Sequence, residues 1–125
     1  MAAEGNMSDR LLALASGVHD GNPPLVSPAD MVYIAADAGY NGVGLWVAPD
    51  ENWQAATSSE VTSALQQTGL TALDVEVIWL QPGGKPDPMH HKIIAVGGEV
   101  GAKNCLIVSS VPVSYTHLTL PTSYA

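Results

Sequence analysis

Residues 27–47 read SPADMVYIAADAGYNGVGLWV. Ser27, Pro28 and Asp30 form a helix-start signal. The serine offers a capping oxygen, the proline suits the first helical position, and the acid sits near the positive end of the helix dipole. Met31, Ile34, Ala35 and Ala38 follow the i, i+3, i+4, i+7 spacing of one buried face. Gly39 then supplies the left-handed position that ends many helices, and the apolar run 43–47 predicts a strand.

The same grammar recurs along the chain. AGYNGVGLWV (38–47), TGLTALDVEVI (68–78) and VGAKNCLIVSS (100–110) each place a glycine after a helical pattern and before an apolar run. Gly39, Gly69 and Gly101 are spaced by 30 and 32 residues, the length of a strand–helix unit. Thr57-Ser58-Ser59-Glu60 has the capping-box form, and Val61, Ala64 and Leu65 supply its stripe. Asp87-Pro88 opens a third helix with Met89, Ile93, Val96 and Val100 inward. Gly97-Gly98 makes this helix the weakest of the three. Strands are predicted at 11–15, 43–47, 73–80 and 105–109. They are short and mostly apolar on both faces, as in a parallel sheet covered by helices. The fold class is therefore α/β, in the order β-α-β-α-β-α-β with right-handed crossovers. A doubly wound open sheet and part of a (β/α)8 barrel both fit. The first strand is not followed by G-x-G-x-x-G, which disfavours a dinucleotide-binding domain.

Composition narrows the function classes. The 125 residues are 46% hydrophobic and only 13% charged, which supports one packed domain rather than a disordered chain. The net charge of −8 repels phosphate backbones and anionic lipid, so neither nucleic acid nor a membrane is an expected partner. The single cysteine, Cys105, excludes an internal disulfide framework and a cysteine-based zinc cluster. A reducing, cytoplasmic compartment follows by default. Residues 1–10 read as a frayed leader without a signal-peptide core, and Met7 is an alternative start.

Three passages together carry a family resemblance: LASG (14–17), SPADMVYIAADAGYNGVGLWV (27–47) and TGLTALDVEVIWL (68–80). They resemble the N-terminal half of the xylose-isomerase-like TIM-barrel family, which includes sugar phosphate isomerases and epimerases and is related to endonucleases acting at abasic sites. The similarity runs over about 11–110. The helix–Ala-Gly-Tyr-x-Gly-Val–strand motif that carries it is a packing motif and names no substrate. The resemblance implies four strands and three helices of an eight-stranded barrel, with 11–112 as a partial barrel. It also implies a divalent metal (Mn, Mg or Zn) in the parent, held by residues on later strands. No metal ligand is carried over to any position of this chain, and no cofactor is expected in the fragment itself.

Residues 113–122, VSYTHLTLPT, resemble the translation of a transposase sequencing adapter. The expectation is that 113–125 is a non-native tail and that Tyr115 and His117 have no function. The alternative is a natural threonine-rich terminal strand.

Active sites of parallel barrels lie at the C-terminal ends of the strands. Asp74 and Glu76, at i and i+2, share a face of the third strand. Helix-facing carboxylates would be buried without partners, so both are expected to face the barrel interior. Glu76 is the candidate catalytic residue, as a base or a hydroxyl contact; a structural carboxylate is the alternative. His19, beside Asp20, is a candidate for polarising a substrate hydroxyl, against a solvated His-Asp-Gly-Asn-Pro turn. Trp46 and Trp79 are candidates for stacking on a sugar, against core filling; Trp79 is expected on the face opposite Glu76 unless a bulge intervenes. Trp53 is a lid or packing residue. His90 and His91 point about 100° apart on a helix and do not share an ion, so they read as solvated surface. The loop 81–86 is too short for a phosphate loop, and Cys105 reads as core. The parent is thus expected to be a metal-dependent sugar (phosphate) isomerase or epimerase acting on a small-molecule sugar, with this fragment inactive. The alternatives are an inert fragment or a non-enzymatic sugar-binding barrel, and then an abasic-site endonuclease, which the charge opposes.

Overall fold

A computed structural model describes residues 10–17 and 26–109. The leader 1–9, His19 with its turn, and the tail from 110 onward lie outside the described residues. Four strands and three helices alternate: β1 (Ala13–Ala15), α1 (Pro28–Asp37), β2 (Gly42–Trp46), α2 (Thr57–Thr68), β3 (Thr71–Leu80), α3 (Pro88–Val100) and β4 (Asn104–Ser109). The sheet is parallel throughout, in the order β1-β2-β3-β4. That order separates the two architectures. A doubly wound sheet reverses strand order at a switch point. Here each strand lies beside its predecessor, so right-handed crossovers stack every helix on one side. This is the layout of half a (β/α) barrel.

The core lies between the helix layer and one face of the sheet. Val43, Leu45 and Val47 of the β2 region, and Ala72, Val75 and Ile78 of β3, meet Val32, Val61, Leu65, Ile93 and Val96 from the three helices. Each valine, leucine or isoleucine among them contributes about 1.5–3 kcal/mol when fully withdrawn from water. The other sheet face carries Gly44, Trp46, Asp74 and Glu76. Among the described residues the helix cover is therefore on one face only.

Local signals explain most element boundaries. Ser27 caps α1 by accepting from the Asp30 N–H at 3.1 Å, and Asp87 caps α3 by accepting from the Met89 N–H at 2.9 Å. Gly69 and Gly101 end α2 and α3 in the left-handed conformation (φ 74° and 71°), which side chains disfavour.

Three expectations are corrected. The capping box at 57–60 does not form: α2 is capped by Ala56 without a side-chain bond, because the Thr57 hydroxyl accepts from the Gln54 N–H instead. The buried stripe of α1 is Pro28, Met31, Val32 and Ala35, leaving Ile34 44% exposed and Ala38 exposed. Both stripes satisfy the same spacing and share Met31 and Ala35. They differ by a rotation of about 60°, which packing against α2 and β2 decides. β1 starts at Ala13 rather than Leu11. The Asn41 side chain takes the Leu12 N–H and donates to the Arg10 carbonyl, both at 2.6 Å, so a side chain stands where ladder bonds would.

Candidate functional site

The site is built by two irregularities in β3. Val43 pairs with Ala72, but Gly44 pairs with Asp74, so Leu73 is an extra residue. A second shift falls between Val75 and Ile78. Strict alternation would put Asp74 and Glu76 on the same side as Ala72 and Ile78, inside the helix-facing core. The first shift reverses the parity for 74–76, and the second restores it. As a result Val75 is buried in the core (1% exposed) while the two carboxyls stand on the open face. Trp79, next to buried Ile78, then falls by alternation on the open face with Glu76 and is 53% exposed. Its expected placement opposite Glu76 is corrected by this bulge.

Glu76 pairs with Trp46, the last residue of β2, and its carbonyl accepts from the Val47 N–H at 2.7 Å. It is therefore level with the C-terminal ends of β1 and β2, where parallel α/β folds place their chemistry. Gly44 lies beneath the carboxyls: a Cβ built there would sit 2.8 Å from both Asp74 Oδ1 and Glu76 Oε1. Gly17, just past β1, lies under Trp46 and Glu76; its Cβ would be 3.6 Å from Trp46 Cβ and 4.0 Å from Glu76 Oε2. Buried Ser16 ties these strands together. Its N–H donates to the Gly44 carbonyl at 2.7 Å and its hydroxyl accepts from the Trp46 N–H at 2.8 Å.

The electrostatics follow from this crowding. Burial, the negative charge of Asp74 and a side-chain hydrogen bond with Asp74 push the Glu76 carboxyl from 4.5 up to about 7. Asp74 Oδ1 is closed to solvent and has no donor among the described residues. Burial and the charge of Asp74 also raise the Cys105 thiol, which packs at the edge of the core. A carboxyl that titrates near neutrality can give and take a proton at physiological pH.

The other candidates disperse. Trp53 is packing, 6% exposed, with its indole N–H donating to Ser58 Oγ at 2.9 Å. His90 and His91 lie in the first turn of α3, half-buried and exposed. The 81–86 loop is exposed. No three His, Cys, Asp or Glu side chains gather to hold a metal among the described residues. A shallow polar groove of about 430 Å³, lined by serines of α2, Thr62, Gln66 and Glu99, lies in the helix layer, across the sheet from the carboxyls. The roles of Gly17, Gly44 and Ser16 were missed from the sequence. A glycine pair alternating with apolar residues in GVGLW hinted at close approach to the strand.

No protein-family model matches the chain, and no curated protein matches it. No described helix is long and apolar enough to cross a membrane.

Proposed function

We propose that the chain is the N-terminal half of a xylose-isomerase-like barrel whose parent is a metal-dependent isomerase or epimerase of a small sugar or sugar phosphate, working in the cytoplasm. The observation that carries this reading is Glu76, on the uncovered sheet face, level with the strand ends and held near neutrality beside Asp74. Isomerisation moves a hydrogen between neighbouring carbons of a sugar, and epimerisation removes a proton from one carbon and returns one to its other face; a carboxyl poised at neutral pH serves as proton acceptor and donor in either. Trp46 and Trp79 offer aromatic surface on the same face for the apolar side of a sugar ring, and Gly17 and Gly44 leave room above the backbone. A divalent metal would stabilise negative charge on substrate oxygens. Its ligands would come from strands of the parent beyond β4, and the proton transfer at Glu76 needs none of them.

The test uses the native gene that carries residues 11–112 and continues past them. Its product is expected to interconvert or epimerise sugars with manganese or magnesium. Glu76→Gln is expected to lower turnover by about 10²–10⁴-fold with little change in melting temperature. Unchanged turnover in that variant, with a large drop in stability, would make Glu76 structural and remove the proposal. The 125-residue chain alone is expected to be inactive.

A further inference from the structure

We propose that Asp74 and Glu76 act as one carboxyl pair holding a single proton over Gly44, with Asp74 the positioning residue that fixes this proton on Glu76. The proposal deepens the reading of the open face as the substrate side, and its functional meaning rests on that reading.

Three observations converge. Both carboxyls reach one point: Asp74 Oδ1 and Glu76 Oε1 each lie 2.8 Å from where a Gly44 side chain would begin. Only a residue without Cβ at 44 leaves that volume to the two oxygens. Secondly, Asp74 Oδ1 is sealed from water without a donor. A buried acceptor left unpaired is costly, and a proton on Glu76 supplies the missing donor. Thirdly, the two register shifts flank residues 74–76 and turn both carboxyls onto the open face.

The surroundings offer no competing cation among the described residues. β2 contributes Gly44 and Trp46, and β1 contributes Ser16 and Gly17. β4 places the uncharged Asn104 opposite Asp74 and adds Cys105, whose thiol is raised by burial and by the charge of Asp74. The pair therefore relaxes its mutual repulsion by keeping one proton, as two close carboxylates do. Glu76 presents the acidic hydrogen and Asp74 Oδ1 is the acceptor beside it. A substrate hydroxyl or carbonyl reaching the pair meets a donor and an acceptor side by side.

Isotope-edited infrared titration of the 125-residue chain, labelled at glutamate carboxyls, reads this directly and tolerates self-association. The chain has five glutamates, and Glu76→Gln assigns the band. One protonated glutamic carboxyl is expected to persist to a midpoint near pH 7. In Asp74→Asn the midpoint is expected to fall by about one pH unit, staying above the ordinary value because burial remains. Gly44→Ala, which thrusts a methyl between the oxygens, is expected to lower it similarly. Circular dichroism confirms that each variant folds. A wild-type titration with every glutamate below about pH 5.5, or a Glu76 midpoint unmoved by Asp74→Asn, would overturn the pair. The readout needs no turnover, so an isomerase assay that fails beside a titration that succeeds removes the activity and leaves the pair.

Discussion

At the scale of single residues, Glu76 makes the chain's stability depend on pH. Its carboxyl is raised from 4.5 to about 7, by burial first and by Asp74 second. The folded protein thus keeps a proton that the unfolded chain releases. Linkage then requires stability to be fullest below about pH 4.5 and to fall as pH rises through about 7, flattening above. Urea midpoints measured between about pH 5 and pH 8 should decline in the parent chain and be flatter in Glu76→Gln. An equal slope in both would mean that another group carries the dependence. Asn41 shows a different residue-scale effect. Its amide satisfies Arg10 and Leu12 from 31 and 29 residues away, so one side chain sets where β1 begins.

At the scale of elements, α3 tests how a helix tolerates two glycines. Gly98 has open space around its missing Cβ, whereas a Cβ on Gly97 would meet Val75 Cγ2 at 3.1 Å. Val75 is held inside the core and has little freedom to yield. Gly98→Ala should therefore stabilise the chain by about 0.5–1 kcal/mol through helix propensity. Gly97→Ala should gain nothing or lose stability, since overpacking offsets the gain. Matching increases in melting temperature for both would show that Val75 can move aside. Removing the α1 cap with Ser27→Ala should cost about 1 kcal/mol, read as a lower urea midpoint.

At the scale of the whole molecule, the sheet has a helix layer on one face and an exposed face on the other. Among the described residues, β1 and β4 each have a single strand neighbour. Several large apolar side chains are exposed, among them Leu12, Ile34, Ile94 and Ile107. Unpaired strand edges and apolar patches promote association. The 125-residue chain should therefore show concentration-dependent self-association in sedimentation velocity. A single monomeric species with a cooperative melt across a hundredfold concentration range would show that the half-barrel layout is self-sufficient.

The element order, the parallel α/β class and the glycine-ended helices were legible in the amino-acid pattern alone. These depend on local chemistry: the Ser27 and Asp87 caps, the left-handed Gly69 and Gly101, and apolar spacing within one turn. That pattern also singled out Asp74 and Glu76, since an acid pair in an apolar strand is conspicuous. Where the local pattern was degenerate, long-range packing made the choice. Two stripes of α1 satisfied the same periodicity, and only packing chose the one without Ile34. The face of Asp74 and Glu76 depended on where β3 shifts against β2 and β4. A one-residue slip inverts every side chain, and the partner that forces it lies about 30 residues away. The room over Gly44 belongs to the same class. An absent side chain acquires meaning only when another strand brings two carboxyl oxygens to the point where it would have been.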